Sequence, residues 1–169
     1  MLSWIRWLAA VVAGIWLGAA VFLTVGAGPA FFSPAMLELM PRETAGRAAQ
    51  LILSRYFVLV QILGIAAALL LFLESRLQPA GGFRRRWLLL VGIIGLGAFV
   101  GYGLQPRLKE LHRIRYAPET SAEVRESSRK TFGALHGVSQ SANLLMLVGV
   151  LVHFTWAVRG AEAERKLEG

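Results

Sequence analysis

The sequence predicts an all-α fold, a four-helix integral membrane bundle with a short interfacial helix after the first span and a last helix extended outside the bilayer. Two observations predict it. Four apolar runs each come close to the roughly 20 residues that a helix needs to cross a bilayer. The 169 residues are 56% hydrophobic and only 17% charged, with a mean hydropathy of +0.56, whereas soluble domains carry about a quarter charged residues. The net charge of +8 would suit a nucleic-acid ligand, but the basic residues lie between the apolar runs, where membrane proteins keep them, so no nucleic-acid partner is expected. Disorder is excluded by the apolar content. Cysteine is absent, which removes disulfide scaffolds, thiolate metal sites, iron–sulfur clusters and cysteine nucleophiles together.

The chain reads as a single membrane domain, 1–169, with spans at about 7–28, 52–74, 86–104 and 132–158. The first apolar run, Trp7 to Thr24, continues through glycine and proline breaks toward Phe32. It exceeds the ~7–15 apolar residues of a signal peptide and is followed by three more spans, so it is read as a helix. Ser33-Pro34 is a helix-start signal, predicting a short helix Pro34–Met40 that Pro41 stops. Thr44 is expected to cap the next helix, which runs through Ala45, Gly46 and Arg47 into the second span, Tyr56–Leu73. Gln78-Pro79-Ala80-Gly81-Gly82 is a tight turn, followed by Arg84, Arg85 and Arg86. The glycine-rich third span, Trp87–Leu104, leads into the longest polar connection, Gln105 to Thr131. Within it Thr120-Ser121-Ala122-Glu123 has the spacing of a capping box, so the last helix should begin near Ser121, about three turns outside the membrane.

An even number of spans puts both termini on one side. Basic residues nearly balance across the two faces, but three consecutive arginines sit directly against the third span. That cluster predicts cytoplasmic termini, in the inner membrane if the source is bacterial.

Absences narrow the chemistry. The chain has no aspartate, and the glutamates are read as lying outside the spans, which argues against an acidic proton relay or a hard-cation site. No His-x-x-x-His or Glu-x-x-His pair and no nucleotide-binding glycine loop is present. Gly14-x-x-x-Gly18 and Gly97-x-x-x-Gly101 have the spacing of close-packed membrane helices, within the bundle or between copies of the chain. Trp4, Trp7, Trp87 and Trp156 lie near span ends as belt residues, whereas Trp16 is mid-span.

One polar constellation stands out on the last span. His136, Ser139, Gln140 and Asn143 fall at i, i+3, i+4 and i+7 and share a helical face, which continues outward to Arg129. Such a stripe is costly against lipid and should face the bundle or a wet cavity. It is either a ligand site entered from the Arg129 end or a set of interhelical hydrogen bonds, with Gln61 a partner across the bundle. His153 reads as interfacial and His112 as a solvated loop residue. Met36 and Met40, at i and i+4, could offer two thioethers to Cu(I), or simply rest on the bilayer.

Phe132-x-x-Leu135-His136-Gly137-x-Ser139-x-x-x-Asn143 resembles the signature in the last helix of the transmembrane protein 205-like family, in bacteria a domain of unknown function. Trp16-x-Gly18-x-x-x-Phe22, Thr44-Ala45-Gly46-Arg47 and the Tyr102-x-x-Gln105-Pro106-Arg107 that closes the third helix extend the resemblance over most of the chain. It implies a four-helix membrane bundle without an assigned molecular activity. The Trp-x-Gly opening is more distantly similar to copper-resistance D-like membrane proteins and to the haem-containing protoporphyrinogen oxidase of bacteria, whose intramembrane lysine has no counterpart in these spans.

Together these readings predict a membrane protein that binds or translocates a small ligand through a polar pocket on the last helix. His136 would be the principal contact, Ser139, Gln140 and Asn143 its companions, and Arg129 an electrostatic gate; no catalytic residue is assigned. Haem or copper held by His136 is the redox alternative, and a scaffold for another membrane protein is the structural one.

Overall fold

A computed structural model describes residues 1–78 and 82–168, with side chains as far as Glu162. Pro79, Ala80 and Gly81 of the expected turn, and the side chains of the basic Arg165 and Lys166, fall outside the described residues. The fold is an all-α membrane bundle. Four helices are long and apolar enough to span: α1 (Leu2–Ala30), α3 (Arg42–Leu77), α4 (Arg84–Tyr116) and α5 (Ala122–Glu168); α2 (Pro34–Leu39) is the short helix after the first. They run up and down in chain order. α1 packs on α3 and α5, and α4 closes the square between those two. Leucine, isoleucine and valine cover the outside, among them Ile62, Val91 and Leu145, as a lipid-facing surface requires.

Inside, Trp16, Val60, Leu90, Val100 and Val150 are fully buried and join one core with Phe57, Leu71 and Met146. Small residues bring the helices together. A Cβ on Gly64 would lie 2.8 Å from Ile94, one on Gly149 2.8 Å from Ile93, and one on Gly101 2.9 Å from Phe57. The Gly97/Gly101 spacing therefore packs within the bundle, whereas Gly18 meets no atom within 4 Å. Gln61 donates to the Ile94 carbonyl at 3.5 Å and so is not the partner of the α5 stripe.

Several boundaries differ from expectation. Thr44 lies within α3, because the first turn begins directly after Pro41, which supplies a fixed φ and needs no amide partner. Ser33 does cap α2, accepting from the Met36 amide at 3.3 Å. The expected Thr120–Glu123 capping box is not formed. Ser121 instead accepts from Val124 at 3.4 Å, and the Thr120 hydroxyl donates to the Ile114 carbonyl at 2.9 Å, tying the start of α5 to the end of α4.

The largest difference is the length of α4. The sequence ends it near Leu104, yet the helix passes Pro106 and continues to Tyr116. An interior proline lacks an amide hydrogen and its ring presses on the preceding turn. The six residues Phe99–Leu104 relieve both problems by widening into a π-helix. α1 repeats the device, with a π segment at Phe22–Ala27 just before Pro29. The polar connection thus shrinks to residues 117–121, and His112 is buried in the packed extension rather than solvated.

At the end holding the termini, Glu74 is 2% exposed and sits between Arg6 at 3.0 Å and Arg86 at 2.7 Å. Read with the other glutamates as lying outside the spans, it is instead a buried ion-pair centre within the α3 span. Arg6 reaches on to Gln78. His153 is also corrected: it is 2% exposed and meets Trp16 edge-on, with ring centroids 6.4 Å apart. Its place on the inner face of α5 carries it into the core. Trp4 and Trp7 remain exposed, and Trp87 packs against the core.

Candidate functional site

The opposite half of the bundle is not filled. A cavity of about 420 Å³ lies there, within the range of about 300–1,000 Å³ typical of small-molecule sites. Each wall is a helical face with spacings of three and four residues. α5 presents Phe132, His136, Ser139, Gln140 and Asn143; α4 presents Gln105, Leu108, His112 and Arg115; α3 presents Arg42, Gly46, Gln50, Leu53 and Phe57. Leu23 and Thr24, from the π segment of α1, complete the enclosure. The other π segment ends directly before Gln105. Of the two prolines that follow the π turns, Pro29 lines this space and Pro106 comes directly after Gln105 of its wall.

The stripe on α5 lines the cavity as a set. Asn143 donates to the Thr24 hydroxyl at 2.8 Å, which in turn donates to the Ala20 carbonyl at 2.7 Å. The His136 and Gln140 side chains meet at 3.3 Å between Nε2 atoms. The His136 ring stacks on Phe132 at 5.7 Å and 13°, and the His112 ring lies 6.3 Å from the same phenyl ring at 56°. Two imidazoles therefore neighbour one phenyl ring. Gly46 makes room for His112: any side chain there would overlap its Nε2. Ser139 is buried against the same space.

Gln105 is the least satisfied member. It is 4% exposed, lines the cavity, and its Oε1 has no hydrogen-bond partner. A buried amide without a partner costs about 1–3 kcal/mol, which a bound polar group would relieve.

Charge in the cavity has one sign. Arg42 and Arg115 line it, and no carboxylate does. The Arg115 guanidinium also lies over Tyr116, 5.3 Å from the ring centre. Arg129 is placed differently. It forms a fork with Glu126, at 2.8 and 2.7 Å, on the exposed stalk, and it is not among the residues lining the cavity. Met36 and Met40 stay at α2, likewise outside the lining. Among the described residues no group of three or more His, Asp or Glu side chains gathers as a metal site.

The sequence therefore pointed to the α5 wall and not to the walls from α1, α3 and α4. Gln105, Leu108, His112 and Arg115 carry the same three-four spacing as the α5 stripe, and that signal was available. It was hidden because the segment follows Pro106 and reads as polar loop.

Residues 11–117 match a family model described as Domain of unknown function (DUF4149). No curated protein and no solved structure matches the chain. The matched segment supplies the α1, α3 and α4 walls of the cavity, and the α5 wall lies beyond it.

Proposed function

The chain belongs to the DUF4149 family, and from that premise we propose that it is a membrane protein that binds a small ligand in the cavity between the four helices. The observation that carries this reading is Gln105, a buried carboxamide with an unpartnered oxygen on the wall of a 420 Å³ space. His136, Ser139, Gln140 and Asn143 supply the polar contacts of the facing wall. Binding is favoured over a through-passage because Trp16, Val60, Met146 and Val150 fill the bundle below the cavity. Translocation would need those side chains to part. The arginine cluster at residues 84–86 supports cytoplasmic termini, which would open the cavity toward the opposite leaflet.

The absence of native cysteine makes the test direct. Gln105→Cys, Ser139→Cys and the core control Val150→Cys are placed in lipid nanodiscs and treated with a membrane-impermeant maleimide. Labelling at the first two positions and none at the third is expected. If residues 105 and 139 are as unreactive as 150, the space is packed and the reading fails.

A further inference from the structure

We propose that the occupant is an anionic amphiphile, a single alkyl chain carrying a phosphate or carboxylate head, with Arg42 and Arg115 holding the head. The inference rests on the binding reading above and names the ligand class for that same cavity. Its first support is that two arginines and no carboxylate line the cavity. Arg47 pairs with Glu43, Arg113 with Glu110, and Arg129 and Lys130 with Glu126, whereas Lys109 donates to Ser54 and Arg125 to the Ala117 and Thr120 carbonyls, and Arg55 and Arg107 have no ion pair among the described residues. Arg42 and Arg115, the two arginines of the cavity wall, have no carboxylate within ion-pair distance among the described residues. Each comes from a different helix and faces the same space. An anion held in this space would offer both guanidinium forks a partner of matching geometry.

A second support is the gradient along the cavity. α3 and α4 run in opposite directions, so both arginines fall at the same end. Arg115 stands ten residues past Gln105, a rise of roughly 15 Å, and Arg42 precedes Phe57 by fifteen residues, roughly 22 Å. At depth Leu23, Leu53 and Phe57 line it together with the polar Thr24, Gln105 and Asn143. Two arginines at the membrane surface, above a wall that carries no charge and includes Leu23, Leu53 and Phe57, match a molecule that lies in a leaflet with its head outward. Phe32 and Ile52 line the cavity and are 44% and 43% exposed.

The test uses the full chain in phosphatidylcholine nanodiscs, which are net neutral. Photoactivatable dodecyl phosphate and dodecanoate are compared with the matching dodecanol, and crosslinked peptides are mapped by mass spectrometry. Both anions should crosslink within residues 132–143 of α5 and 42–57 of α3, and the alcohol should not. Arg42→Gln combined with Arg115→Gln should reduce the anionic signal at least about tenfold, the scale of lost charge-assisted hydrogen bonds. The Arg42→Lys and Arg115→Lys pair, which keeps the charge, should retain much of it and serves if the glutamine pair fails to fold. Equal crosslinking by the alcohol, or no change in the glutamine pair, overturns the ligand class. The cavity reading survives that outcome if Gln105→Cys and Ser139→Cys still react with maleimide, and fails with it if they do not. Competition by phosphatidate in the disc supports the class with a membrane lipid as its source, and competition confined to added single-chain anions supports it with a free amphiphile. Displacement by inorganic phosphate alone overturns the requirement for a chain.

Discussion

Glu74 and Arg6 are 68 residues apart in the chain and 3.0 Å apart in space, and their contact ties the start of α1 to the end of α3. The second oxygen of Glu74 takes Arg86 at 2.7 Å, so α4 is held by the same carboxylate. Removing one partner of a buried ion pair is costly, about 3–5 kcal/mol, because the remaining charge loses its compensation. Glu74→Gln leaves two guanidinium groups facing each other and should lower the thermal midpoint in detergent markedly. Arg6→Gln leaves one pair intact and should lower it less. Equal midpoints for the wild type and Glu74→Gln would show that the pair contributes nothing.

Two glycines give opposite expectations for the same substitution. A methyl group at Gly46 overlaps the His112 ring, so Gly46→Ala should expel that ring from the cavity wall and destabilise the α3–α4 contact. At Gly18 a methyl group meets nothing within 4 Å. Gly18→Ala should be neutral or stabilising by up to about 1 kcal/mol, from helix propensity alone. Fluorescence-detected gel filtration after heating compares the two. Similar midpoints for both variants would mean that the close approach of Gly46 and His112 does not exist in the folded protein.

What could be read from the sequence follows from what kind of signal each feature leaves. Four spans, the cap at Ser33 and the mid-span position of Trp16 come from hydropathy and local capping chemistry, which act within a turn or two. The α5 stripe was visible because four polar residues interrupt an apolar run. The α4 wall was not, since Gln105, His112 and Arg115 lie in a polar stretch where polar residues carry no contrast, and Pro106 imitates a helix end. Glu74 and His153 were misplaced for a different reason. Each lies near a predicted span end, and only the three-dimensional approach of Arg6 and Arg86, or of Trp16, turns it inward. The α3 wall was missed because Arg42 and Gly46 precede the apolar part of their helix.

Orientation can be tested without knowing the ligand. The arginines at 84–86 predict that the chain ends are cytoplasmic and that the α4–α5 connection faces out. Paired reporter fusions after Pro118 and after Gly169 should give an external readout at the first and a cytoplasmic one at the second. The opposite pattern would place the cavity mouth, with Arg42 and Arg115, on the cytoplasmic side.

His136 and Asn143 share a helical face but should respond differently to leucine. His136 is exposed, and its side-chain hydrogen bond is to Gln140 of its own helix, so it contributes little to joining helices. Asn143 crosses to Thr24 of α1, and such membrane hydrogen bonds are worth about 0.6 kcal/mol on average and up to about 1.7. Leucine is also far cheaper than a polar side chain in hydrocarbon. His136→Leu should therefore insert, fold and keep its thermal midpoint, while crosslinking to dodecyl phosphate weakens because the imidazole beside Phe132 is gone. Asn143→Leu should show a small fall in midpoint, since Thr24 can still donate to the Ala20 carbonyl. Measuring midpoint and crosslinking on both variants separates the two roles. If His136→Leu loses folded protein while its crosslinking per folded molecule is unchanged, the histidine is part of the packing, and the polar wall of the site reduces to Ser139, Gln140 and Asn143.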